Sequence, residues 1–158
     1  MTRTLLIFLS VGLLASAFQP EAAPRSPASG SVDDRADPEV RIFIDRVNDY
    51  RESIGCPRLI VDMRAQTVAQ SHSEDMFERR YVAHVNPDGD SHTDRLRHAG
   101  LSFSIAGENL AQTAEGGEGV LQIWLASRSH RQNIQNCAFL RHGVGRYDLY
   151  WTHVLFTE

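Results

Sequence analysis

The order of apolar patterns along the chain predicts an α+β fold, in which an antiparallel sheet is covered by helices. Segments with helical spacing come first, a hairpin of two apolar strands comes last, and one further strand lies between them. The chain has 158 residues, of which 42% are hydrophobic. This length predicts one modest globular domain plus some extra sequence.

The first helix is predicted to begin at Pro38 and to end by Gly55. Asp37 is placed to cap it, and Glu39 lies in the first turn, where the helix dipole favours an acid. Its apolar residues recur at helical spacing: Val40, Phe43, Ile44 and Val47. Two polar residues on its later turns are expected to hydrogen-bond to other elements: Asn48 and Arg51.

A second helix is predicted after Asp62, which is placed to cap it. Five residues fall on one stripe of this helix: Ala65, Val68, Ala69, His72 and Met76. The small alanines imply close packing. A single histidine on an apolar stripe is more often a hydrogen-bonded core residue than a ligand. His72 is therefore interpreted as part of the core.

The second helix is followed by a loop and a short third helix. His84 is predicted to lie at the edge of the loop, whose turn at residues 86–89 contains Pro and Gly. Ser91, with Asp94 three residues later, resembles a capping arrangement. The sequence therefore predicts a short helix that ends at Gly100.

Residues 101–111 are predicted to form a strand that contains Glu108. A carboxylate between apolar segments is expected to be partly buried, and it stays charged only with a cation, a metal or several donors beside it. We expect Glu108 on the floor of a cleft, with His84 and His130 reaching in from either side. The alternative is a structural glutamate that caps or hydrogen-bonds neighbouring backbone.

The last third of the chain is predicted to contain a flexible connection at residues 113–119, a helix and the hairpin. If the backbone stays helical, three residues share one side of this helix: Trp124, Ser127 and His130. The hairpin strands are predicted at residues 138–146 and 149–156. Gly143 and Gly145 indicate that other backbone approaches the first of them closely.

The N-terminus is typical of an export signal, with Arg3, an apolar run at residues 5–14 and small residues at 15–17. Cleavage is predicted after Ala17, so that residues 1–17 are the signal peptide. The run is shorter than the roughly 20 residues of a bilayer-spanning helix, and an uncleaved anchor is the alternative. Residues 18–37, which contain few apolar side chains, are predicted to be a disordered linker before a domain at residues 38–158.

Export would place the only two cysteines, Cys56 and Cys137, in an oxidising compartment. One disulfide between them is predicted, and two buried free thiols are the alternative. All sixteen basic residues are arginines, scattered among twenty acidic residues without a basic block. Nucleic acid is therefore not expected as a partner.

Several motifs occur in a characteristic order along the chain. They are Asn48 and Arg51, His72-Ser73-Glu74-Asp75-Met76, His84, Asp94-Arg95, Gly107-Glu108-Asn109-Leu110, Trp124-x-x-Ser127-x-x-His130-Arg131-x-Asn133-Ile134, Gly143-Val144-Gly145 and Tyr150-Trp151-Thr152. This ordered set resembles the short bacterial branch of the CAP superfamily (cysteine-rich secretory proteins, antigen 5 and pathogenesis-related 1; SCP domain). The resemblance runs from about residue 38 to the C-terminus.

The resemblance implies a three-layer α-β-α sandwich with a central antiparallel sheet and a cleft lined by His84, His130 and Glu108. Some family members hold a divalent metal, often zinc, between the two histidines, so His84 and His130 are candidate metal ligands. Water or Glu108 would have to complete such a site. Ser127 stands where many eukaryotic members have a second glutamate, and His153 stands where relatives commonly have glutamine.

Two functions are compatible with this cleft. The first is a secreted or periplasmic monomer that binds a small ligand, lipid or cell-envelope component through His84, Glu108, Ser127 and His130 without chemistry. The second is a metal-assisted hydrolase, a peptidase or esterase, in which Glu108 and a histidine polarise water. A nucleophile pair of Ser127 and His130 is a third option, which lacks an identifiable acid to orient the histidine.

Overall fold

The computed structural model describes residues 37–158, so the predicted signal peptide at 1–17 and all but the last residue of the predicted linker lie outside the described residues. The elements follow in the order α1 (Pro38–Ser53), β1 (Ile60–Val61), α2 (Met63–Arg79), α3 (His92–His98), β2 (Ile105–Gln112), α4 (Gly117–Ala126), α5 (Arg128–Gln135), β3 (Arg141–Tyr147) and β4 (Tyr150–Thr157). The α+β class and the hairpin at the end of the chain are confirmed.

The four strands form one sheet in the order β1-β3-β4-β2. β4 is central and pairs antiparallel with both β2 and β3. The short β1 pairs parallel with β3, which the sequence did not predict. Helices α1, α4 and α5 pack on one face of the sheet, and α2 and α3 pack on the other. The result is the three-layer sandwich that the resemblance implied.

The predicted capping signals of α1, α2 and α3 are confirmed. The side chain of Asp37 accepts a hydrogen bond from the backbone N–H of Glu39 at 2.8 Å. Asp62 caps α2 in the same way. Ser91 and Asp94 form a reciprocal capping box at α3. Each cap satisfies backbone donors that a helix start would otherwise leave unpaired.

The structure differs from the sequence prediction around α4 and α5. Ser127 has extended backbone angles (φ −89°, ψ 128°) and separates two helices, so Trp124, Ser127 and His130 do not share the side of one continuous helix. α4 begins at Gly117, inside the segment predicted to be flexible. Gly117 lies against α1, where a Cβ would come within 2.1 Å of the Glu39 carbonyl oxygen.

The two glycines of β3 allow α2 to lie directly on the sheet, as their spacing predicted. A Cβ on Gly143 would lie 2.2 Å from the backbone of Ala65, and one on Gly145 would lie 2.2 Å from the backbone of Gln70. Ala65 and Ala69 on the facing stripe of α2 are fully buried. Small residues on both surfaces therefore set the distance between this helix and the sheet.

Arg51 and the disulfide fasten the end of α1 to the segment after α5. Arg51 is fully buried, and its guanidinium donates hydrogen bonds of 2.8 to 3.0 Å to four carbonyl oxygens: those of Pro57, Ile134, Asn136 and Phe139. Cys56 and Cys137 form the predicted disulfide between the same two regions. Asn48 bonds to both backbone groups of Leu59, so the expected polar contacts of α1 are confirmed.

Two fully buried histidines lie between the sheet and α1. Nδ1 of His142 is 3.2 Å from Nε2 of His153. His153 also contacts the rings of Phe43 and Trp124. Burial, together with the charge of Arg51, lowers the pKa of His142 to about 3. Burial and the charges of His142 and Arg51 place the pKa of His153 well below its usual value.

Replacing Gly143 with alanine is expected to lower the free energy of unfolding by at least about 2 kcal/mol, because the new methyl group overlaps the backbone of α2. Urea unfolding measures the change. Ser102→Thr, which adds one carbon at an exposed position, is the matched control and is expected to change little. Equal stability of both variants and the wild type would contradict the close approach.

The free energy of unfolding is expected to fall as the pH is lowered from about 6.5, because the unfolded chain then binds protons that folded His142 and His153 do not. The slope is up to about 1.4 kcal/mol per pH unit for each imidazole. His153→Gln removes one of these groups and is expected to flatten the dependence. Urea unfolding between about pH 7 and pH 5 provides the measurement.

His98→Gln is the control for this prediction, because the His98 side chain is 69% exposed. It is expected to leave the slope of the wild type unchanged. A His153→Gln variant with the same pH slope as the wild type would show that the buried pair does not carry the effect.

Candidate functional site

Glu108 lies in the middle of β2, and its side chain has no exposed surface. Oε1 is 2.9 Å from Nδ1 of His84, and Oε2 accepts a hydrogen bond of 2.7 Å from Nη2 of Arg95. Both carboxylate oxygens are therefore engaged, one by an imidazole and one by a guanidinium. This arrangement meets the requirement that a buried carboxylate has a cation or donors beside it.

Arg95 joins the carboxylate to the loop that carries His84. Its side chain is 11% exposed, and Nη1 donates to the carbonyl oxygens of His84 at 3.2 Å and of Asp90 at 2.9 Å. Arg95 lies on α3, whose start is fixed by the capping box. One guanidinium thus holds both the acid of β2 and the backbone of the loop.

His72 holds the same loop at a second point. Its Nε2 is 3.1 Å from the carbonyl oxygen of Ala83, the residue before His84. Its Nδ1 faces the hydroxyl group of Tyr81, which donates to Asp75. His72 is 1% exposed and hydrogen-bonded, so its interpretation as a core residue is confirmed.

The charges of this cluster stabilise one another. Burial alone would raise the pKa of Glu108, but the hydrogen bond from His84 and the charge of Arg95 lower it below its usual value. The hydrogen bond to Glu108 raises the pKa of His84 against the effect of partial burial. The stabilisation from His84 is therefore fully present below about pH 6.5 and is lost as the pH rises through its raised pKa.

The side chain of His84 is 54% exposed, so its ring reaches solvent although Nδ1 is bound to Glu108. Nε2 is the ring nitrogen left for other contacts. When the ring is neutral and Nδ1 carries the proton, Nε2 is an acceptor or metal ligand; when the ring is protonated, it is a donor. His84 therefore contacts the buried carboxylate of Glu108 with one ring nitrogen and exposes the other ring nitrogen to solvent.

His130 lies on α5 and is held by amide side chains. Asn109 donates to the carbonyl oxygen of His130 at 3.1 Å, and Asn133 donates to the side chain of Asn109 and to the carbonyl oxygen of Glu108. Burial, and then the charge of His84, lower the pKa of His130. Nδ1 of His130 is buried and has no hydrogen-bond partner within residues 37–158.

The structure brings some of the predicted site residues into contact and leaves others apart. His84 and Glu108 are in direct contact, and His130 is within electrostatic reach of His84. The hydroxyl group of Ser127 faces that of Ser129 at 3.3 Å, at the break between α4 and α5. His153, which stands where relatives commonly have glutamine, is fully buried and pairs with His142 inside the core.

Two residues of the site were not assigned by sequence reasoning. Arg95 is the cation beside Glu108, and the need for a cation was the signal that could have found it. His92 at the start of α3 lies with its ring centroid 6.5 Å from that of His84. Burial lowers the pKa of His92, and this effect outweighs the negative charge of Glu108, which raises that pKa. Three residues before Arg95, His92 lies on the same side of α3 as that arginine, and this spacing is the signal that could have found it.

The donor set does not fit a closed metal site. Within the described part of the chain, no group of three or more His, Cys, Asp or Glu side chains is arranged to hold a metal ion. Glu108 already shares its oxygens with His84 and Arg95, which leaves two imidazoles, those of His84 and His130. A structural zinc site takes four protein ligands, so water would have to complete this one.

A groove lies away from Glu108, between the start of α1, α2 and β3. It has a volume of about 620 Å³, and its lining includes Asp37, Gln70 and Arg146. Asp37 and Arg146 form an ion pair of 2.9 Å within it, and Gln70 bonds to the backbone of Arg146. Asp37 and Arg146 are paired with each other, and Glu74 accepts a hydrogen bond from Gln70. We therefore place the candidate site at Glu108 and not in this groove.

A model of the CAP family, described as the cysteine-rich secretory protein family, matches residues 44–152. The chain belongs to the CAP family. This confirms the resemblance seen in its motifs. The matched range contains Arg95, Glu108 and both candidate histidines.

The CAP domain is similar to two proteins of Bacillus subtilis. It is 33% identical over 102 residues to YkwD and 36% identical over 110 residues to the membrane protein YlbC. These alignments cover 65% and 70% of this chain, but 40% and 32% of the relatives. The chain thus spans well under half the length of either relative.

Solved CAP and related structures share the fold. An extracellular protein with an SCP domain from Bacillus anthracis has a TM-score of 0.74 at 34% identity, over 76% of this chain and 40% of that one. An outer surface protein of Borrelia burgdorferi has a TM-score of 0.70 at 20% identity, over 76% and 92%. The fold is thus found in proteins described as extracellular or outer-surface. No helix within residues 37–158 is long and apolar enough to cross a membrane.

Replacing Arg95 with methionine is expected to lower the free energy of unfolding by about 3 kcal/mol, because Glu108 is then buried without a cation. Adding Glu108→Gln to this variant removes the unpaired charge and is expected to restore part of the loss. Arg97→Met on the same helix is the control, since the Arg97 side chain is 59% exposed. Equal effects at positions 95 and 97 in urea unfolding would contradict the role of Arg95.

Proposed function

We propose that this CAP domain is an exported binding module whose cleft holds a small ligand, lipid or cell-envelope component and performs no chemistry. The contacts would come from the open face of His84 and from His130. The ligand group that they fit is a hydrogen-bond acceptor or an anion, because a raised pKa increases the share of protonated His84. The extracellular and outer-surface proteins that share the fold support export.

The observation that supports binding most directly is the state of Glu108. Its carboxylate has no exposed surface, and both oxygens already accept hydrogen bonds. A general base must reach the proton that it abstracts, and its pKa is best placed near the working pH. Glu108 meets neither condition, because it is enclosed and its pKa is lowered. Its role in this proposal is to orient His84 and raise the pKa of that ring.

A metal-assisted hydrolase, peptidase or esterase, is the second candidate, and one contact favours it. A carboxylate that bonds one ring nitrogen of a histidine fixes the direction of the other nitrogen, an arrangement also found behind metal-bound histidines. The pair of His84 and Glu108 has this geometry. In this alternative His84 and His130 would hold the metal and Glu108 would orient a ligand. The two-imidazole set makes it the less supported candidate.

Binding and hydrolysis are separated by turnover of peptide and ester libraries with the purified full chain, with and without added zinc. We expect no turnover in either condition. Turnover that is lost in His84→Gln, an exposed position where the fold is expected to persist, would overturn the binding proposal. The Glu108→Gln variant, whose fold is checked by circular dichroism, then separates two roles of this acid. Reduced turnover would indicate that Glu108 orients His84, and abolished turnover would indicate that it reacts.

The metal is tested by elemental analysis of protein purified without an affinity tag. The relevant comparison is between the wild type and the double variant His84→Ala/His130→Ala. A metal site in the cleft predicts that the double variant loses the metal. Equal metal content in the two proteins would exclude a site at these histidines.

A further inference from the structure

A second groove, with a volume of about 460 Å³, lies between the end of α2 and the turn of the β3–β4 hairpin. Its lining includes Phe77, Glu78, Arg80, Gln112, Asp148 and Tyr150. We call it the hairpin groove. It shares no lining residue with the site of His84 and Glu108, so the inference below does not depend on the proposed function.

Aromatic rings form a partly exposed platform at and beside this groove, which is lined by Phe77 and Tyr150 and flanked by Tyr147. Phe77 is 39% exposed and Tyr147 is 40% exposed, and their ring centroids are 5.0 Å apart. Tyr150 meets Phe77 edge-on at 6.1 Å, and its hydroxyl group accepts a hydrogen bond from Gln112. Each residue leaves about two fifths of its surface exposed, so the two rings together form a partly exposed apolar patch that a ligand could cover. Their mutual contacts hold the rings in place before any ligand arrives.

The backbone of the groove is strained at two charged residues. Arg80 (φ 56°) and Asp148 (φ 52°) are the only non-glycine residues with positive φ within residues 37–158. Glycine adopts this conformation without the cost that a Cβ imposes. Aspartate tolerates it better than most residues, but arginine does not. Arg80 ends α2 in the left-handed conformation, and Asp148 lies in the two-residue turn between β3 and β4. Both turns explain the positive φ, and glycine could fill either position without a charged side chain in the groove.

The side chains at these positions are not explained by contacts within the protein. Arg80, Asp148 and the neighbouring Glu78 make no side-chain hydrogen bond or ion pair to any other described residue. By contrast, Arg79 beside Arg80 pairs with both Asp75 and Asp88. The groove therefore presents two carboxylates and one guanidinium that are available to a ligand.

The combination of groups selects a class of ligand. Exposed aromatic faces suit the C–H face of a sugar ring, and carboxylates, a guanidinium and an amide suit the hydroxyl groups at its edge, each of which both donates and accepts. A polyanion is disfavoured because the groove has two carboxylates, those of Glu78 and Asp148, and only one guanidinium, that of Arg80. The polar rim disfavours an acyl chain. We propose that the hairpin groove binds a neutral oligosaccharide, with sugar rings on Phe77 and Tyr147 and hydroxyl groups on Arg80 and Asp148.

The test uses the full chain with chitotetraose and maltotetraose as probes. Binding is measured from changes in amide chemical shifts in NMR and by calorimetry. At least one probe is expected to shift resonances at residues 77–80, 112 and 147–150 in a saturable manner. Tyr147→Ala is expected to weaken binding about ten-fold through lost stacking. Ile123→Ala, at an exposed position on α4, is the control and is expected to bind like the wild type.

Substitutions to glycine separate a ligand contact from a structural role. Arg80→Gly and Asp148→Gly relieve the positive φ, so each is expected to raise the melting temperature by about 2 to 4 °C while it weakens binding several-fold. His84→Gln is expected to leave binding of the oligosaccharide unchanged. Glycine variants that bind normally and melt at a lower temperature would overturn the proposal.

Three further outcomes would also overturn it. The first is that neither neutral probe binds. The second is that a heparin tetrasaccharide or a dodecyl detergent below its micelle concentration binds to the groove more tightly than both neutral probes. The third is that the His84→Gln variant loses binding of the oligosaccharide, which would assign the effect to the CAP cleft.

Discussion

The ion pair between Glu108 and Arg95 is the interaction on which the candidate site depends. A carboxylate with no exposed surface in the middle of a strand is strongly destabilising unless its charge is compensated. Arg95 supplies that compensation from α3, and the same guanidinium bonds to the backbone of the His84 loop. The packing of α3 therefore determines both whether Glu108 can be buried and where His84 lies. The conformation of an exposed residue is set by an interaction that is almost wholly buried.

The sheet makes this arrangement possible by how closely it admits α2. Gly143 and Gly145 leave no side chain between β3 and the alanines of α2, so this helix rests on the strands. His72 then reaches the carbonyl group of Ala83 and holds the loop at the residue before the one that Arg95 bonds. A bulkier residue on β3 would move α2, and with it the residue that holds Ala83. Packing on one face of the sheet thus determines the geometry of a loop at its edge.

The sequence predicted what depends on local signals and missed what depends on tertiary contacts. Asp37, Asp62 and Ser91 mark helix starts because their side chains cap backbone donors within three residues, and all three caps are present. The burial of Glu108 followed from its apolar neighbours in the chain, but its cation did not. Sixteen arginines are available, and only the packing of α3 selects Arg95. The break at Ser127 was missed for the same reason, since the periodicity of α4 continues in α5 while the backbone between them does not.

The position of His84 is fixed before any contact is made at its exposed nitrogen. Its ring is held at Nδ1, and the carbonyl groups of Ala83 and of His84 itself are held by His72 and Arg95, so a ligand that binds at Nε2 meets a ring that is already oriented. Binding then requires little ordering of the protein, which favours affinity for a given contact. The neighbouring turn at residues 86–89 is held mainly by Asn86 and by the ion pair of Asp88 with Arg79 at the surface. Substitutions in that turn leave the buried anchors of His84 in place, so the loop divides into a surface turn that can vary and a segment that holds the ring.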